Sequence, residues 1–168
     1  RVLMKNIHVY SGLLLPIPVL AGLLLRSGAA FRADFRRLSR WEAEDRGWWR
    51  PSKRPNVELG KFNPGQKLNA VFILAAIPVM LGTGIIMRWF EPFPLDWRTG
   101  ATFVHDWFAI GLFFAVLGHI VLACADPDAL RGITRGWVSA TWARTKRPRW
   151  YAESEESGAA RDLTARAD

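Results

Sequence analysis

The chain has 168 residues and a formal net charge of +8, and half of its residues are hydrophobic. Its single cysteine, Cys124, excludes an internal disulfide and an iron–sulfur cluster held by this chain alone, and is expected to serve in packing. The apolar residues fall into three blocks separated by charged stretches, which argues against one soluble core and for an all-α protein that crosses a membrane several times.

The first block runs from Asn6 to Leu25 and carries no charge. His8 lies near its start, and Pro16 and Pro18 are expected to kink or loosen the helix. Gly12 and Gly22 leave room for a close helix neighbour or a flat cofactor. The chain begins at Arg1 rather than at Met, so processing or a further upstream segment is expected.

Arg26 to Lys61 carries ten basic and five acidic residues. Phe31, Phe35, Leu38 and Trp41 share one helical face, with Arg32, Arg36, Arg37 and Arg40 elsewhere. That pattern suits an amphipathic helix on the membrane surface, or a helix packed on the end of the bundle. Trp48 and Trp49 suit the headgroup level.

The second block, Leu68 to Met87, contains Pro78, Gly82 and Gly84, with Gln66 and Asn69 at its start. Three residues apart, the two amides share a helix face. They can hydrogen-bond a quinone carbonyl, or they can cap the helix end. Arg88 to Gly100 reads as a short turn without net charge, bounded by Trp89 and Trp97.

The third block, Ala101 to Ala125, holds His105 and His119. Their spacing is nearly four helical turns, so both point the same way, about 21 Å apart along the axis. Asp126-Pro127 ends the block and suits the cap and first turn of a following helix. The tail to Arg149 is basic, with Trp137, Trp142 and Trp150 interleaved, and residues 154–168 are expected to be disordered. Spanning helices are therefore expected near residues 3–25, 66–88 and 101–125.

Orientation follows from Lys and Arg. The 26–62 loop and the C-terminal tail are basic and belong on the cytoplasmic side, and the neutral turn belongs outside. His8 and His105 then fall in the outer leaflet on different helices, and His119 falls in the inner leaflet. Two neutral imidazoles can clamp one haem iron from both faces, leaving no open position, so such a centre carries electrons. His119 would need a partner from outside this sequence, and an upstream helix is the simplest source. Asp106 can orient an imidazole or face water. Gly12, Gly111 and Gly118 could admit a porphyrin. The arginines are accounted for by topology, so no nucleic-acid partner is expected, and no chain of polar residues crosses any block to form an ion path.

His8, the FNPGQKLN stretch from Phe62 to Asn69, the fourteen-residue spacing from His105 to His119 and the tail from Arg131 to Glu153 together resemble the cytochrome b (gamma) subunit of membrane-bound formate dehydrogenase. That family lies within the cytochrome b561 and nickel–iron hydrogenase cytochrome b superfamily. The resemblance covers most of residues 1–153 as one membrane domain. It implies a transmembrane bundle with three of four helices present here, the first expected upstream.

It also implies two b haems. His8 and His105 would ligate the outer haem, completed by this chain. His119 would ligate the inner haem, whose second ligand comes from the absent helix. Gln66 and Asn69, beside His119, match a menaquinone pocket; ubiquinone is the other candidate. The implied partners are an iron–sulfur subunit, a molybdopterin catalytic subunit and membrane lipid. The implied place is the bacterial inner membrane, multi-pass, with a cytoplasmic C-terminus. The expected function is electron transfer from a peripheral dehydrogenase to quinone, without catalysis on the primary substrate. The alternatives are a haem-free scaffold that docks such an enzyme, or the cytochrome b of another oxidoreductase such as nickel–iron hydrogenase.

Overall fold

A computed structural model describes residues 2–50, 52 and 57–156. Among these the regular structure is helical: α1 Val2–Leu14, α2 Pro16–Leu24, a 3-10 turn Arg26–Gly28, α3 Ala29–Ser39, α4 Ala43–Trp48, α5 Pro64–Arg88, α6 Leu95–Cys124, α7 Pro127–Arg135, α8 Ala140–Lys146 and α9 Pro148–Glu156. Among the described residues three stretches are long and apolar enough to cross a membrane: Val2–Leu24, Pro64–Arg88 and Leu95–Cys124. The chain divides into two compact units. One holds the residues up to Arg36 with Asn69–Val116; the other holds Arg37–Leu68 with the residues from Leu117 onward.

In the first unit the first span breaks at Leu15, directly before Pro16. Proline has no N–H to give to the preceding turn, and its ring presses on the carbonyl four residues back. Leu15 itself keeps helical angles, so the axis loosens without turning away. The chain then doubles back through Arg26–Gly28. A side chain on Gly28 would collide with the Gly22 carbonyl oxygen, so the bend admits only glycine there.

The α3 helix returns onto the end of α2. The Phe31 ring lies against Gly22, and Arg32 Nη1 donates to the carbonyls of Leu23 and Leu25. Those carbonyls are among the ones a helix end leaves without internal partners. Of the two readings of the 31–41 face, packing on the end of a span is the one these contacts make. The face is also shorter than expected, since Trp41 lies beyond the helix end at Ser39.

The second span is helical from Pro64 rather than from Gln66. The third begins at Leu95, so the expected turn over Arg88–Gly100 shortens to the residues between Arg88 and Leu95. Asp96 in the first helical turn favours this start, because a carboxylate there complements the helix dipole. The spans bury small residues, Ala76 and Ala101, and present Phe103, Phe113 and Leu122 outward, as hydrocarbon surroundings allow. The Phe72 and Phe108 rings stack at 6.2 Å between α5 and α6, and Phe72 also presses against Gly111. Gly111 therefore serves helix contact.

The second unit is built from short helices and charges. Asp126 caps α7, accepting from Ala129 N at 3.1 Å, and both its oxygens accept from Trp142 Nε1 at 3.0 Å. Gly136 ends α7 with φ of 79°, the left-handed value that favours glycine. The interleaved tryptophans have cationic partners: Arg131 lies over Trp137, Arg147 over Trp142 and Lys61 over Trp150. Arg147 is buried and donates to Lys61 O at 3.1 Å. Burial pushes its guanidinium below the ordinary value, and the Asp126 charge works in the opposite direction.

The α9 helix runs to Glu156, with Ser154 buried, so residues 154–156 are ordered where a disordered tail was expected. The remainder of that tail lies outside the described residues. Cys124 is exposed at the end of α6 rather than packed.

Because Asp126 holds both a helix cap and an indole, Asp126→Ala should cost about 2 kcal/mol, read as a lower melting temperature in detergent. Asp126→Asn, which keeps an acceptor, should lose less.

Candidate functional site

His8 is near the start of the first span and His105 is in the first half of α6, yet their rings meet. The centroids are 6.2 Å apart, with the planes at 74°. The first and third spans, with one span between them in the chain, run the same way through one layer, so positions near the start of each fall at one depth. Two metal–imidazole bonds of about 2 Å, with a ring radius added at each end, also place centroids about 6 Å apart. Rotation about that axis leaves the mutual ring angle free. Among the described residues no group of three or more His, Cys, Asp or Glu side chains could hold a bare metal ion. Two imidazoles alone suit an iron whose equatorial positions a porphyrin fills.

His105 is half-buried, and its Nδ1 lies 2.8 Å from Thr83 Oγ1 on α5. Its Cε1 lies 3.5 Å from where a Cβ on Gly84 would stand. Asp106, one residue on, has no hydrogen bond to it. Asp106 is exposed and lines an open groove with Arg98, Thr102 and Met87 at this end of α5 and α6. Of the two sequence readings of Asp106, orienting an imidazole or facing water, its exposure supports the second, and the group beside His105 Nδ1 is Thr83. Thr83 was not singled out, although it is the one polar side chain between Ala70 and Met87. A hydroxyl in an apolar span has to find a partner, and that was the available signal.

Gln66 is exposed and engaged in capping. Asn63 Oδ1 accepts from Gln66 N and Gln66 Oε1 accepts from Asn63 N, each at 2.9 Å. These reciprocal bonds satisfy two donors at the start of α5. Arg147 Nη2 also donates to Gln66 Oε1 at 3.4 Å. The capping alternative is thus realised, with the Gln66 amide nitrogen still a donor. Asn69 is half-buried, and its side chain has no hydrogen bond among the described residues.

Between them, Lys67 is buried. Its Nζ donates to Asp45 Oδ2 at 2.7 Å and to Arg40 O at 2.9 Å. Nothing in the apolar pattern marked this pair. His119 is exposed on α6 and has no hydrogen bond among the described residues. Gly12 and Gly118 have open space where a side chain would stand.

Comparison with known proteins adds to this geometry. The family described as prokaryotic cytochrome b561 matches residues 1–136. The formate dehydrogenase cytochrome b556 subunit of Haemophilus influenzae is 37% identical over 110 residues, covering 64% of this chain and 46% of that protein. The nitrate-inducible formate dehydrogenase cytochrome b556(Fdn) subunit of Escherichia coli K12 is 32% identical over 109 residues, covering 63% of this chain and 50% of that protein. The cytochrome b556(fdo) subunit of the same organism is 28% identical over 99 residues. The chain spans about half the length of these relatives.

Proposed function

Since the chain belongs to the prokaryotic cytochrome b561 family, we propose that it is the membrane part of a dehydrogenase complex that passes electrons through b haem to quinone. The observation that carries this reading is the 6.2 Å approach of His8 and His105 from separate spans. The family is one of b-type cytochromes, and three apolar spans suit a bacterial membrane.

His8 and His105 would hold the outer haem through their ring nitrogens, and His119 would supply one ligand of the inner haem, with the second from another segment. Bound haem supplies a one-electron carrier. With one imidazole offered from each of the two spans, the chain would leave oxygen and small ligands no place at the iron. The Asn69 amide would donate a hydrogen bond to a quinone carbonyl and hold the ring while it takes up two electrons and two protons. Gln66 would contribute its amide nitrogen while its oxygen keeps the cap.

The basic 26–62 loop and tail support a cytoplasmic C-terminus, which puts His8 and His105 toward the outer face. The relatives named as formate dehydrogenase subunits support formate as the primary donor, delivered through molybdopterin and iron–sulfur partner subunits. Electrons moving inward across the bilayer would work against the membrane potential, about 2.3 kcal/mol per charge per 100 mV.

A reduced-minus-oxidised spectrum of the protein in detergent tests the reading, and a spectrum without a b-type band would leave a docking scaffold. Asn69→Ala should keep full haem content while slowing quinone reduction about tenfold, measured with a soluble quinone analogue. Unchanged quinone kinetics would remove Asn69 from the pocket.

A further inference from the structure

We propose that Thr83 is a positioning residue for His105, its hydroxyl oxygen accepting the Nδ1 proton so that Nε2 carries the lone pair offered to iron. The inference rests on the reading of His105 as an axial ligand. A threonine hydroxyl has one proton to give. Thr83 Oγ1 lies 2.7 Å from Val79 O and 3.3 Å from Met80 O, the carbonyls one turn back on its own helix, which can only accept. The proton goes to them. The 2.8 Å contact with His105 Nδ1 is then a bond in which the imidazole donates. A neutral imidazole has one N–H, so fixing it on Nδ1 leaves Nε2 without a proton, the form that binds a metal.

The surroundings leave Thr83 without a rival for this task. Its neighbours Gly82 and Gly84 have no side chains, and the His105 ring rests against Gly84. Asp106 faces the groove, and His8 meets the ring edge-on at ligand spacing. A hydrogen bond accepted from a ligating histidine holds the ring orientation and raises its basicity. That favours the oxidised iron and lowers the reduction potential.

The test uses the protein in its native membrane complex, with Thr83→Val, Thr83→Ser and His105→Ala. Potentiometric titration of the b-type absorbance and the low-spin ferric signal in electron paramagnetic resonance are the readouts. Thr83→Val should raise the outer-haem midpoint by an amount equal to about a tenfold shift in the redox equilibrium, about 59 mV for one electron. Thr83→Ser should restore the original value. Loss of the outer haem in Thr83→Val, with retention in Thr83→Ser, supports the same role. A Thr83→Val protein with unchanged potential and signal overturns it, as does a serine variant that behaves like valine. Retention of the outer haem in His105→Ala would instead overturn the ligand reading beneath it.

Discussion

His105→Ala should yield a folded protein that has lost the haem held with His8, seen as a large drop in b-type absorbance and in haem per protein. The expectation of a folded product comes from how little else His105 holds. Its ring is half-buried, and among the described residues its one side-chain hydrogen bond goes to Thr83. Losing a bond of that kind costs about 1 kcal/mol. The proposed haem site would have no such margin. Groups that only orient a ligand already change metal affinity about 10- to 100-fold, and removing the ligand itself goes further. If the two imidazoles, 6.2 Å apart, serve one iron as proposed, His8→Ala should give the same spectrum. A His105→Ala protein with full haem content would show that this pair is a contact between helices and not a ligand set.

The pairing of His8 with His105 was legible because a helix rises by a fixed amount per residue. Once three spans and their directions are set, depth follows from counting. Helix ends were less legible, and the third span shows why. Arg98, Thr99 and Gly100 interrupt the apolar run, so hydropathy begins the block at Ala101, yet the helix begins at Leu95. Hydropathy reports where hydrocarbon begins, whereas backbone hydrogen bonding continues into the interface. The partner of Thr83 was hidden for another reason: it lies 22 residues away, and the length of the intervening turn sets the register. In the basic loop, charge count gave an orientation and hid a buried pair, because a sum of charges does not say which of them face each other.

That pair supports the second large effect expected, in Asp45→Ala. Lys67 and Asp45 meet at 2.7 Å with side chains 5% and 6% exposed. Asp45 Oδ2 also accepts from Glu42 N at 2.8 Å at the start of α4, and Lys67 also donates to Arg40 O. Removing the carboxylate leaves an ammonium group out of water with one carbonyl for company. Breaking a buried pair in this way costs about 3–5 kcal/mol, most of it the stranded charge. Asp128→Ala is the contrasting case. Its partner Arg131 is also close, at 2.6 Å, but both side chains are about a third exposed, and such pairs contribute about 0–1 kcal/mol. Melting in detergent should therefore separate the two substitutions clearly.

The double change Asp45→Ala with Lys67→Met should recover much of the loss, since it removes the unpaired charge together with its partner. Full recovery is not expected, because the Asp45 bond to Glu42 N goes as well. Lys67 stands between Gln66 and Asn69, so this pair also anchors the turn of α5 that carries both amides. If Asp45→Ala melted like Asp128→Ala, the anchor would have to lie in the Asn63–Gln66 cap and in the ion pair of Arg149 with Glu42 instead.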